Sequence, residues 1–303
     1  MTLDLTRRNF GLLTLGAMAV NLPGVTFAQG AAYANPGLLE EPGSLIGAVS
    51  PVTGSGQSAQ LEGMVLVDVR PRAEYDAGHI PGAVYLAPDA VAARQSPIDG
   101  TLMHVTNLEA LIGSIGIAAD RRIVFYDDRG GFHAARMLWL MEYLGHQNVA
   151  VLNGGWSAWK GVGGPVATQA AAAQPTEFHS AISPRRHATA NDVLAHRNDP
   201  DEVLIDVRPP HMYEEGHIPW AVNVPWAQNL GDDGRFRSAG ELLAHFGDHG
   251  VTPENNVIMH CQNGLASSHS YVALRLLGFS RVRVYHRSWA EWGSDPALPK
   301  VTA

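Results

Sequence analysis

Cysteine is almost absent from this 303-residue chain, which holds a single one, Cys261. One thiol excludes an intramolecular disulfide, a zinc cage of several cysteines and an iron–sulfur cluster held by several thiolates of one chain. A basic excess is missing too. With 21 Lys and Arg against 29 Asp and Glu, a net charge of −8, the chain has no overall positive field, so neither nucleic acid nor an anionic membrane surface is expected as a partner. Long apolar runs are also lacking. The best candidate, residues 12–22, is interrupted by Gly16 and Asn21 and falls short of the ~18–20 residues that span a bilayer. What remains is a length suited to about two domains of roughly 100–200 residues, and a thiol that is either an inert core residue or a reactive group.

Ahead of that apolar run stands Thr6-Arg7-Arg8-Asn9-Phe10-Gly11-Leu12, and Pro23, Gly24 and small residues follow it. The arrangement resembles a twin-arginine export signal, which implies removal of residues 1–28 and a working place in a bacterial periplasm. Cleavage fits after Thr26-Phe27-Ala28 or, at the latest, after Ala32-Tyr33-Ala34. Removing 1–28 leaves 19 basic against 28 acidic residues, a charge of −9. No later stretch is apolar enough to span a membrane, so no membrane association is expected once the signal is gone.

The rest of the chain is organised by a repeat. Leu66-Val67-Asp68-Val69-Arg70-Pro71, with Tyr75 and Gly78-His79-Ile80-Pro81, returns as Leu204-Ile205-Asp206-Val207-Arg208-Pro209, with Tyr213 and Gly216-His217-Ile218-Pro219. Of the 21 positions aligned between 66–86 and 204–224, 12 are identical. Ile123-Val124-Phe125-Tyr126 matches Val257-Ile258-Met259-His260, and Trp156-Ser157-Ala158-Trp159 matches Trp289-Ala290-Glu291-Trp292. A period of roughly 135 residues is too long for a solenoid unit and fits a duplicated domain. The expected division is a first domain over 45–162, a linker over 163–188 and a second domain over 189–303. Gly163-Gly164-Pro165, an Ala/Gln run and Ser183-Pro184 mark the linker as an exposed connection.

Within the second copy, strands are expected at 203–207, 221–224, 257–260 and 281–285, and helices at 189–197, 238–249 and 267–277. Strands alternating with helices imply an α/β fold, a mostly parallel sheet flanked by helices in each copy. Ligands of such folds sit beyond the carboxyl ends of the strands, which singles out the residue after Met259-His260. That residue is Cys261. The loop Gln262-Asn263-Gly264-Leu265-Ala266 runs from it into the helix near Ser267. A strand–loop–helix unit directs successive backbone N–H groups and the positive end of the helix dipole into the loop, and both favour thiolate over thiol. Gly264 supplies the backbone freedom that a tight loop needs.

The Asp-Val-Arg-Pro, Gly-His-Ile-Pro, strand–Cys–loop–helix and Ser288-Trp289-Ala290-Glu291-Trp292-Gly293 segments, duplicated and in that order, are similar to the tandem-domain rhodanese (sulfurtransferase) family over roughly residues 45–300. The resemblance implies one catalytic domain and one inactive domain. Here the first copy has Tyr126-Asp127-Asp128-Arg129-Gly130-Gly131 in place of His260-Cys261-Gln262-Asn263-Gly264, so either Asp127 or Asp128 takes the position of Cys261. It also implies that Cys261 attacks a small anionic sulfur donor and carries the sulfur as a persulfide to cyanide or a thiol. The N–H groups of residues Gln262, Asn263, Gly264, Leu265, Ala266 and Ser267 then hold the charge. No metal or organic cofactor is required, and a monomer is expected. Arg208 would offer a positive fork to the donor and Asp206 would orient the neighbouring backbone; the competing reading is a structural salt bridge, since Arg70 stands in the copy without a thiol. His79 and His217 are expected in structural turns, and the tryptophan pairs in the core. His245 and His249, four apart, lack a nearby third metal ligand.

The loop departs from the family where Gln262 and Asn263 replace basic residues and where Met212 replaces a second arginine. Thiosulfate is the first expectation for the donor and 3-mercaptopyruvate the second. A persulfide carrier without fast turnover is a further reading. His260-Cys261 also resembles a cysteine phosphatase loop, but that chemistry needs an arginine six residues after the cysteine, where this chain has Ser267 and no arginine before Arg275.

Overall fold

The computed structural model describes residues 32–49, 61 and 63–302. The export-signal reading of 1–28 lies outside the described residues. The first domain contains β1 (Leu39–Glu40), α1 (Pro42–Ile46), β2 (Met64–Asp68), α2 (Arg72–Ala77), β3 (Val84–Tyr85), α3 (Val105–Ser114), β4 (Arg122–Tyr126), α4 (Phe132–Tyr143), β5 (Val149–Leu152) and α5 (Gly155–Gly161). The second contains α6 (Ala190–Ala195), β6 (Glu202–Asp206), α7 (Pro210–Glu215), β7 (Gly216–His217), β8 (Val222–Asn223), α8 (Ala239–Gly247), β9 (Asn256–His260), α9 (Leu265–Leu276), β10 (Val282–Val284), α10 (Ser288–Trp292) and β11 (Val301–Thr302). Two parallel sheets result, ordered β1-β5-β4-β2-β3 and β10-β9-β6-β8, with a small antiparallel β11–β7 ladder beside the second. This is the expected α/β architecture, present twice.

Alternation along each strand sends neighbours to opposite faces. Leu66 and Val124 pack with Trp156 and Trp159 of α5 on the outer face, while Val67 and Phe125 pack under α3 and α4 on the inner one. The second sheet does the same: Leu204 and Ile258 meet Trp292 of α10 outside, and Ile205 and Met259 meet α8 and α9 inside. Both sheets are covered on two faces, which accounts for their continuous apolar runs. The inner layers of the two domains form one core across the interface, because α4 and α9, the helices that follow β4 and β9, pack on each other. α4 is correspondingly apolar nearly all round, apart from His133, Arg136 and Glu142.

Helix starts follow their caps. Thr189 and Ser238 accept from the backbone N–H groups of Asp192 and Glu241, and those carboxylates accept from the cap N–H in return. α9 begins at Leu265, earlier than the expected 267, because Gly264 takes a left-handed conformation at φ 92° and turns the loop directly into helix. The first domain reaches back ahead of 45, since β1 adds to the sheet edge through register with Val151 and Leu152; a two-residue strand has no periodicity to read. The 163–188 segment, exposed over most of its length, is nevertheless tied down. Thr176, Ala181 and Ser183 donate their N–H groups to Gly113, Leu144 and Tyr143 carbonyls at 2.9, 2.8 and 2.7 Å, and Phe178 is only 5% exposed. The segment is strapped along the first domain because its backbone and its one aromatic side chain find partners there.

A buried imidazole ties the domains together. His269 of α9 donates from Nε2 to the Gly130 carbonyl at 3.0 Å and stacks on Phe236. Burial holds its pKa down to about 4, against the smaller upward pull of the Gly130 bond. The folded state therefore keeps His269 neutral while the unfolded chain takes up a proton near the usual 6.5. Stability is unaffected above that pH and falls as pH drops from about 6.5 towards 4, by about 3 kcal/mol from this group. Denaturant unfolding at pH 7 and pH 4 should show the loss, and His269→Gln should shrink it. An equal loss in the variant would contradict the assignment.

Candidate active site

Cys261 stands at the carboxyl end of β9, and the main chain around it is fixed on every side. Its N–H donates to Ser288 Oγ at 3.1 Å, and that hydroxyl donates to the Tyr285 carbonyl at 2.7 Å. The Cys261 and Gln262 carbonyls accept from Trp289 and Ala290 N–H groups at 3.1 and 2.9 Å. Ser288 alone among the described non-glycine residues has positive φ, at 52°, a strained conformation retained at the floor of this loop. Its counterpart in the first domain, Gly155, has φ 56° and no hydroxyl. Sγ accepts from Gly264 N–H at 3.1 Å, and Cys261 is 2% exposed.

The first copy displays what such a loop binds. Asp68 registers with Tyr126, and Asp206 with His260; Asp127, not Asp128, therefore takes the place of Cys261. One Asp127 carboxyl oxygen accepts from Arg129 and Gly131 N–H at 2.8 and 2.9 Å, the other from His133 and Ala134 N–H at 2.6 and 3.1 Å. The loop is thus an anion cradle, filled here by its own carboxylate. In the second copy Gly264, Ala266 and Ser267 correspond to Gly131, His133 and Ala134. Among the described residues only Gly264 N–H reaches Sγ, and the N–H groups of Ala266 and Ser267 lie in the first turn of α9, where no intrahelical acceptor exists. A thiol side chain is one atom shorter than an aspartate's; one atom added to Sγ has the reach of the Asp127 oxygens. The wholly buried Ser267 hydroxyl has no hydrogen-bond partner among the described residues.

Arg208 does not present a fork to the loop. Its Nε and Nη2 bind the Asp206 carboxylate at 3.0 and 2.6 Å, Nη2 also reaches the Gly216 carbonyl, and Trp289 covers it at 4.8 Å. Arg70, Asp68, Gly78 and Trp156 repeat the arrangement in the domain without a thiol. The salt-bridge reading stands because this guanidinium edge is already saturated. Asp206 does orient backbone, accepting Arg208 N–H at 3.0 Å. His260, buried beside Asp206, is held in its neutral form by desolvation, which outweighs the pull of that carboxylate. His79 and His217 bond the Tyr75 and Tyr213 carbonyls and stack on those rings, as structural turns do. His249 Nδ1 bonds the His245 carbonyl. Among the described residues no group of three or more potential ligands gathers for a metal.

The first domain also enters this site, which sequence reasoning missed. Asp99 accepts from the Asn263 side chain at 2.6 Å. A Cβ on Gly100 would lie 2.0 Å from the Asn263 carbonyl, so only glycine permits that approach. Arg136 of α4 reaches the Gly264 carbonyl at 3.3 Å. The available signal was the charge itself, an arginine within an otherwise apolar helical run.

The rhodanese-like domain family matches residues 56–161 and 189–295. A thiosulfate sulfurtransferase of Pseudomonas aeruginosa is 33% identical over 256 residues, covering 78% of this chain and 90% of that protein. A sulfur carrier protein of Thermus thermophilus is 32% identical over 246 residues, with 74% and 86% covered. The crystal structure of a 3-mercaptopyruvate sulfotransferase from Escherichia coli superposes with a TM-score of 0.73 at 24% identity, over 83% of this chain and 98% of that one.

Proposed function

Because the chain belongs to the rhodanese family, with two rhodanese-like domains in tandem, we propose that it is a sulfurtransferase acting through a persulfide on Cys261. The thiolate attacks the outer sulfur of thiosulfate. A Cys261 Sγ–S bond forms, the donor's S–S bond breaks, and sulfite leaves with the electron pair. Cyanide or a thiolate then attacks the outer sulfur and the S–S electron pair returns to Sγ, a ping-pong cycle. The carrying observation is Asp127: where the first loop closes on a carboxylate, the second has a thiol and unfilled N–H donors one atom further out. With Gln262 and Asn263 beside the thiol, anion binding falls to these N–H groups. Incubation with thiosulfate alone should raise the intact mass by one sulfur atom and release one equivalent of sulfite. Cyanide should then remove that sulfur as thiocyanate. No sulfur gain from thiosulfate or 3-mercaptopyruvate, with phosphate esters cleaved instead, overturns the reading.

The deep burial of Cys261 favours a second reading, a persulfide carrier that serves one partner protein. Sulfur loading without multiple turnovers on small acceptors would support it. A preference for 3-mercaptopyruvate over thiosulfate would change the donor and leave the persulfide chemistry intact.

We further propose a monomer exported to the periplasm and cleaved after Ala28 rather than Ala34. Tyr33 donates its hydroxyl to the Phe236 and Arg237 carbonyls, and Asn35 binds the end of α9 through the Arg275 and Leu276 carbonyls. Cleavage after Ala34 would remove Tyr33 from this contact between the amino-terminal strap and the second domain. Sequencing the amino terminus of the exported protein should find a start ahead of Tyr33; a start at Asn35 would contradict it.

A further inference from the structure

Arg136 is 4% exposed, and a guanidinium so deeply buried ordinarily faces a carboxylate. Four other buried or half-buried arginines near the loop and interface do: Arg208 has Asp206, Arg287 has Glu291, and Arg275 and Arg186 share Glu142. Among the described residues Arg136 makes no ion pair. Its Nη2 donates to the Gly100 carbonyl at 2.9 Å, its Nη1 to the Gly264 carbonyl at 3.3 Å, and its face lies on Trp139 at 4.8 Å. The acidic groups that act on it are Cys261 and the exposed Asp99, and burial lowers the Arg136 pKa only to about 10, so the charge persists at neutral pH. The neighbouring imidazoles add none. His286, His187 and His260 are all held neutral by burial, and His187 Nε2 meets His286 Nδ1 at 3.0 Å.

The bond to the Gly264 carbonyl does not explain this arrangement. That oxygen already accepts from Ser268 N–H at 3.3 Å and Ser268 Oγ at 2.7 Å, which suffice to start α9. The crowding is severe as well: a Cβ on Gly264 would lie 2.4 Å from Arg136 Nη1. A costly buried cation is thus pressed against the back of the cysteine loop with no ion-pair partner among the described residues, and Asp99, the carboxylate on that side, is exposed.

We propose that Arg136 is a positioning residue for sulfur transfer: from the domain that lacks the thiol, it supplies the buried positive charge that balances anionic sulfur on Cys261 and secures the Gly264 turn. The inference rests on the persulfide reading of Cys261. It makes the first domain an electrostatic part of the site in addition to a scaffold.

The test compares Arg136→Gln, which keeps an N–H donor and loses the charge, with Arg136→Lys, which keeps the charge. Two rates are measured at neutral pH, alkylation of Cys261 and sulfur loading from thiosulfate, alongside denaturant unfolding. Arg136→Gln should lower both rates by about 10- to 100-fold, with Arg136→Lys within about threefold of wild type on the same scale. Unchanged rates in folded Arg136→Gln overturn the proposal, as do equal losses in both variants, which would show that shape matters and charge does not. If Arg136→Gln fails to fold, Asp99→Asn decides: removing the exposed opposing carboxylate should speed alkylation, and no change or a slower rate overturns the proposal. A wild-type protein that takes no sulfur defeats the persulfide reading instead, and the alkylation comparison still decides the role of Arg136.

Discussion

Cys261→Ser is expected to lower thiosulfate:cyanide sulfurtransferase activity by a factor of about 10⁴ or more, with the fold intact. A hydroxyl is scarcely ionised at neutral pH, and its oxygen does not accept a sulfane sulfur to form a persulfide, so the first half-reaction has no covalent intermediate. The structural change is small by comparison. Serine replaces the polarisable sulfur at a site where, among the described residues, the only hydrogen bond to the side chain comes from Gly264 N–H at 3.1 Å, a bond that an oxygen accepts equally well. Stability should therefore shift by about 1 kcal/mol or less. The measurement is thiocyanate release together with denaturant unfolding. Activity within tenfold of wild type would remove Cys261 from the chemistry. Loss of activity accompanied by unfolding would remove the basis for reading the activity loss as chemical.

Glu142→Ala should cost about 3–5 kcal/mol of stability, the largest effect expected of any single substitution away from the loop. Glu142 is 1% exposed on α4. Its carboxylate accepts the Tyr271 hydroxyl and bonds Arg275 Nη2 at 3.1 Å on α9, and Arg186 of the linker approaches to 3.9 Å. Removing it strands two arginines at the interface and empties a volume between the helices that carry the two loops. Glu142→Gln keeps an acceptor and should cost less, about 1–3 kcal/mol. Unfolding curves of the two variants test the ordering, and a loss below about 1 kcal/mol for Glu142→Ala would show the cluster to be stabilised by something other than this carboxylate. Damage here should also lower sulfur transfer, since α4 carries both Glu142 and Arg136.

These two charged residues of one helix show how far sequence reasoning reached. The duplication, the alternation of strands and helices, and the position of Cys261 after β9 were all legible, because each is written in local spacing: identical motifs, period-two apolar runs, a glycine before a helix. The starts of α6 and α8, expected at 189 and 238 and found at Ala190 and Ala239, were legible for the same reason. Arg136 and Glu142 appeared only as charges in an apolar run. Nothing in spacing distinguishes a residue that is paired by Arg275 across the interface from one that faces a loop 128 residues away.

The sequence by itself determined the two-domain α/β architecture and the one chain position where a nucleophilic sulfur is available. Tertiary structure decided what surrounds that sulfur. Strand register identified Asp127 as the counterpart of Cys261. The carboxylate of Asp206, already adjacent in sequence, closed Arg208 into a salt bridge, and the packing of α4 on α9 brought Arg136 beneath the loop. The physical reason is range. Backbone periodicity and capping act over a few residues and leave a readable pattern, whereas the choice of counter-ion for a buried charge depends on which side chains two independently patterned domains bring within a few ångströms of each other.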